Sequence, residues 1–167
     1  MKKTLIFMSF FCLSLPAYAG QVTGLWQTMN DSTGKPKSII RVYEQNGAIY
    51  GKVVITYKLD GTPSVVKDAN GNAVCDESFR AEKMPGSPSF CNLVLIKGLR
   101  LNNRGIFTGG TITNPENNRS YRAEMWLADN GDLIVRGRWG PFGRKQRAHP
   151  FTEAQLAELL AAESKIL

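Results

Sequence analysis

The sequence predicts an all-β domain, a sandwich or a barrel, followed by one C-terminal helix. Two observations carry this. From Val22 to about Arg147 apolar and polar residues alternate, and turn residues break the pattern every eight to twelve positions. The last stretch, PFTEAQLAELLAAESKIL, has the helical period instead.

In chain order, MKK supplies a positive start and TLIFMSFFCLSL an apolar run too short to span a bilayer. Small residues follow at Ala17 and Ala19. This reads as a secretory signal over residues 1–19, cleaved between Ala19 and Gly20. Cys12 has no small residue ahead of it, so a lipoprotein anchor is not expected. Removing nineteen of 167 residues leaves 148, enough for one domain with one core. The barrel or sandwich is expected over 20–149 and the helix over 150–167. No later segment is long and apolar enough to span a membrane, and the expected location is the periplasm or the exterior.

The first strand is expected over 22–30. Next, SIIRVYEQ and AIYGKVVITYK flank Asn46-Gly47, a dipeptide suited to a two-residue turn with positive φ at both positions. That turn sets Val42 opposite Gly51, Ile40 opposite Val53 and Tyr43 opposite Tyr50. It gathers Ile49, Val53 and Ile55 on one face. The interval 58–90, rich in Asp, Asn, Gly, Pro and Ser, reads as a long loop of the kind that gates ligands. Cys75 and Cys91 are the cysteines left after cleavage, and an even number in an oxidising compartment predicts a disulfide. Such a bridge closes a loop of about 15 residues and is worth roughly 3 kcal/mol.

Further strands are expected at 91–99, 104–112 and 142–148. Between them SYRAEMWLA and DLIVRGRW flank Asp129-Asn130-Gly131. A three-residue turn with Gly131 left-handed keeps the apolar faces together, pairing Met125 with Val135, Ala123 with Gly137 and Glu124 with Arg136. In the tail, Thr152 and Gln155 make a capping box, and Leu156, Leu159, Leu160 and Ile166 fall near one helical face.

The formal charge of +7 loses Lys2 and Lys3 on cleavage, leaving +5, scattered through every segment. Nucleic-acid binding, which wants charge concentrated on one face, is not expected. Attraction to an anionic envelope component stays open. Chemistry is sparse. His149 is the only histidine, pinned between Ala148 and Pro150, and reads as a surface or capping residue. No nucleophile–base set, phosphate loop, zinc spacing or calcium loop appears, so neither an enzyme nor a metal or other cofactor is expected. The run GRWGPFGRKQR reads as a turn between the last two strands. Trp26, in GLW on the first strand beside Gly24, reads either as a plain core aromatic or as a plug closing one end of a small barrel beneath Arg136, Arg138 or Arg144.

The blocks GLWQT, TGKPKSIIRVYEQNGAIYGKV, NPENNRSYRAEMWL and LIVRGRWGPFGRKQ, in this order, resemble those of the exported bacterial family called domain of unknown function 2147. The likeness spans most of Gly24 to Gln146. Where that family's turn reads Asn-Gly, this chain has Asn117-Asn118. The resemblance implies a calycin or lipocalin-like antiparallel barrel of about eight strands, which in better-known relatives encloses an apolar cavity. The function expected is therefore an exported binding protein holding a small apolar or amphipathic ligand. Its cavity candidates are Ile40, Val42, Ile49, Val53, Ile55, Ile106, Met125, Leu127, Leu133 and Val135. The alternative is a ligand-free barrel that meets an envelope component through its basic outer face.

Overall fold

The computed structural model describes residues 22–167. The expected signal segment and its cleavage point lie outside the described residues. The strands are β1 (Gly24–Met29), β2 (Pro36–Gln45), β3 (Ala48–Thr56), β4 (Val65–Lys67), β5 (Ala73–Cys75), β6 (Val94–Leu101), β7 (Phe107–Asn114), β8 (Arg119–Leu127), β9 (Leu133–Trp139) and β10 (Phe142–Phe151). One helix, α1 (Glu153–Ile166), follows. Eight strands close an antiparallel barrel in the order β1-β10-β9-β8-β7-β6-β3-β2, and β4 and β5 form a separate hairpin.

Both hairpins with strong turn chemistry take the register their turns dictate. Asn46 and Gly47 have φ of 53° and 71°, and Val42 pairs with Gly51 and Ile40 with Val53. Tyr43 and Tyr50 stack with ring centroids 5.8 Å apart. At the second, Gly131 is left-handed at φ 85°, and Glu124 pairs with Arg136 and Met125 with Val135. Asn118 takes φ 53° at the β7–β8 turn, a conformation Asn tolerates better than other side chains.

Ile55 corrects the face assigned to it. Ile40 opposes Val53 but Ile39 opposes Ile55, so Val54 is an extra residue on β3. Such a bulge reverses the alternation beyond it. Ile49 and Val53 keep the inner face, whereas Ile55 points outward and packs with Ile39, Leu25, Val65, Ala73 and Leu156. The strand expected at 104–112 also moves. Asn102 Oδ1 accepts the amides of Arg104 and Ile106, so a turn occupies 102–106 and β7 starts at Phe107. A register shift between Phe107 and Gly110 then gives Phe107 the inner position, and Ile106 belongs to neither core.

The described residues form two cores. The inner one joins Val22, Trp26, Ile40, Val42, Ile49, Ile96, Leu99, Phe107, Met125, Leu133 and Val135. The outer one lies between β1–β3 and a lid made of α1 and the β4–β5 hairpin. Within the interval expected to be loop, that hairpin is held by the Cys75–Cys91 disulfide and by Ala73 N–H donating to Ser164 Oγ of the helix. Helix α1 begins at Thr152, whose side chain and that of Gln155 cap each other's amides. Leu156, Leu159 and Leu160 face the outer core, while Ile166 is exposed. Strand β10 runs three residues beyond the expected end, as far as Phe151, and Pro150 pairs with Trp26 to close the barrel.

Candidate ligand site

The barrel has unlike ends. At one, the turns β2–β3, β6–β7 and β8–β9 surround the apolar core. Trp26 is buried there, and its Nε1–H donates to Val22 O at 2.8 Å. The backbone at Val22, not an arginine, satisfies the indole. The three cations expected to cover it lie elsewhere. Arg136 and Arg138 alternate to the outer face and meet Glu124, at 3.7 and 2.8 Å. Arg144 stands at the opposite end, 3.0 Å from Asp31. Gly24, at the head of β1, pairs with Val42.

The cavity candidates Ile40, Val42, Ile49, Met125, Leu133 and Val135 pack against one another and against Trp26, with Leu127 at the margin. Met125 and Leu133 have no exposure at all. The apolar half of the lumen is filled by the chain itself.

The other half differs. Because the strands tilt, the row of paired residues that starts at Gly24 climbs through Val42, Gly51, Ile96 and Ile112 to Tyr121. Tyr121 thus stands at the level reached by the mouth ends of β1, β2 and β3. Alternation from Trp26, Ile40 and Val53 puts Thr28, Ser38 and, past the bulge, Thr56 on the inner face there. Thr28 Oγ1 and Ser38 Oγ share a 2.7 Å hydrogen bond, whereas Thr56 Oγ1 is buried without a partner. Gln146, paired with Val135, faces inward from β10.

Aromatics crown this polar wall. Tyr121 and Trp139 are 5.8 Å apart and Trp139 and Phe142 6.3 Å apart, tilted in both cases. Trp139 is 57% and Phe142 64% exposed, so two large apolar rings stand in solvent at the rim. Arg119 and Arg122 sit on β8 beside them without an acidic partner among the described residues. A half-open concavity of about 970 Å³ takes in Arg119, Tyr121, Arg122, Glu124, Arg138 and Trp139. The run GRWGPFG is the β9–β10 turn expected of it, with Gly140 at φ 55°. Its missed signal is that Trp139 alternates with Gly137, hence with the lumen, at a turn that leaves it only Tyr121 and Phe142 as ring neighbours.

His149 is no free surface residue. Its Nδ1 lies 2.8 Å from Oδ1 of buried Asp132, and Arg147 Nη1 approaches Oδ2 at 3.3 Å. Burial alone would raise the Asp132 carboxyl. Hydrogen bonds from His149 and Asn130, with the charge of Arg147, outweigh it and hold the carboxyl below its ordinary range. A depressed folded-state pKa adds stability above the unfolded value, about 3.9, and loses it as pH falls through the folded one. Asp132→Asn should therefore be less stable near pH 6 and show a shallower loss of stability toward pH 2 in urea titrations. An acid limb as steep as the parent's would show that other carboxylates, such as Asp68 and Asp76, account for all of it. Among the described residues, no three of His, Cys, Asp and Glu gather to hold a metal ion, and no helix is long and apolar enough to cross a membrane.

The sequence model of a family described as "Uncharacterized protein conserved in bacteria (DUF2147)" matches residues 24–149. Among solved structures, the fold is similar to one described as "Protein HP1028 from the human pathogen Helicobacter pylori belongs to the lipocalin family". The TM-score is 0.61 at 19% identity, over 83% of this chain and 88% of that one. At that identity the likeness shows a shared lipocalin-like fold. No curated protein matches the sequence.

Proposed function

The chain belongs to the bacterial family DUF2147, and from that premise and its lipocalin-like barrel we propose an exported, non-enzymatic protein that binds a small amphipathic ligand at the barrel mouth. The periplasm or the exterior is its place of action, in keeping with the signal-like first nineteen residues and a bridged cysteine pair. The observation that carries the reading is the Tyr121–Trp139–Phe142 cluster, with Trp139 and Phe142 exposed, at the open end of a lumen whose other end is full. Large rings left in solvent beside unpaired arginines are an unsatisfied surface that a ligand with an apolar face and an anionic group would cover.

The filled half of the lumen rules the ligand's size: it sits at the mouth and does not thread the barrel. That filling also supports the alternative of an interaction module facing an envelope component through Arg122 and its neighbours. Native mass spectrometry of periplasmic material separates the two by a retained small molecule. Trp139→Ala should lose that molecule while melting within about 0.5 kcal/mol of the parent, as exposed substitutions do. A variant that keeps the full ligand complement would remove the mouth from consideration.

A further inference from the structure

We infer that the mouth binds an acidic saccharide: a pyranose ring carrying a carboxylate or a phosphate. The inference rests on the mouth reading above and specifies its ligand. Its main support is independent of the aromatic rim.

The deciding group is Thr56. Its residue is 6% exposed, its Oγ1 has no hydrogen-bond partner, and it lies directly opposite Ser38 on the inner face. A buried hydroxyl without a partner weakens a fold, because it has left water and gained nothing. Here it extends a row, Thr28–Ser38–Thr56, whose first two members are already bonded to each other. An aliphatic chain pushed against this row would leave the Thr56 hydroxyl stranded and offer the other two nothing further. A polyol would satisfy them, since each of its hydroxyls both donates and accepts. Gln146, on the inner face from β10, adds a carboxamide of the same capacity.

The rim fits the other features of such a ligand. A pyranose presents a flat C–H face, which suits the exposed rings of Trp139 and Phe142. Arg119 supplies an unpaired guanidinium at the edge, and Arg144 a second whose partner Asp31 is itself exposed. Both match a carboxylate or phosphate. Along β8 Arg119 stands nearer the strand's mouth end than Tyr121, so a ring entering hydroxyls first would leave its charge beside Arg119 at the rim.

The test titrates the mature protein with digalacturonate, glucose 6-phosphate, maltose and decanoate, following tryptophan fluorescence and calorimetry. One or both acidic sugars should bind at least tenfold more tightly than maltose, and which of the two binds better identifies the anion. Thr56→Val should weaken that binding about tenfold and yet raise Tm, since it removes the unpartnered hydroxyl. Arg119→Gln should bring the acidic sugar down to the level of maltose. Decanoate binding that Trp139→Ala abolishes and Thr56→Val leaves intact would overturn the saccharide and keep the mouth. No binding by any of the four would overturn both.

Discussion

Trp26→Ala should lower the stability of the domain by roughly 3–5 kcal/mol, which for a chain of this size is a fall in Tm of about 10–15 °C. The indole touches the inner core and is almost fully buried, and its N–H is spent on Val22 O. Truncation opens a cavity among side chains held rigidly by barrel closure. It also leaves the Val22 carbonyl without its donor. Thermal and urea melts of the mature form measure it. A variant melting within 2 °C of the parent would show that the closed end repacks freely. Since the mouth lies at the opposite end, Trp26→Ala should keep whatever ligand the folded fraction binds, the reverse of Trp139→Ala.

Gly110→Ala should be equally severe for a different reason. A Cβ at Gly110 would lie 2.2 Å from Lys97 O and 2.7 Å from Leu99 N, both backbone atoms of the neighbouring strand. A side-chain tip can move aside, but a strand cannot without parting from its ladder. We expect a cost of about 3 kcal/mol or more, or failure to fold. Gly71→Ala is the control. There φ is 80° but nothing lies within 4 Å, so only the left-handed conformation is penalised, by about 1 kcal/mol. Equal melts for the two variants would mean that β6 and β7 separate cheaply.

These two residues illustrate what a sequence discloses. Trp26 was legible because a large aromatic in an alternating strand has few places to go, although its covering arginine was not. The alternation that puts Met125 and Val135 inside already puts Arg136 and Arg138 outside, and only the place of Arg144 beside Asp31 needed the closed barrel. The hairpins at Asn46-Gly47 and Gly131 were legible because turn chemistry and alternation are local and agree. Ile55 and Ile106 were misplaced because an irregularity in the ladder, at Val54 on β3 and between Phe107 and Gly110 on β7, shifts the alternation by one, and neither leaves a mark in the polarity pattern. The candidate site was scarcely legible. Thr28, Ser38 and Thr56 lie far apart in sequence and become a row only through strand pairing. Trp139 and Phe142 resemble ordinary core residues until the turn between them proves to have no core beneath it.

Val54 sets the parity of everything after it on β3. With it, Ile55 and Tyr57 go to the lid and Thr56 to the lumen. Without it, the same letters would be read in the opposite phase: an isoleucine would line the mouth and the threonine hydroxyl would lie under the helix. A barrel of this kind can therefore exchange a wettable lumen for a greasy one through the gain or loss of a single codon, with no change in the residues that remain. The chemical identity of the chamber is stored as a count along the strand, not as a composition.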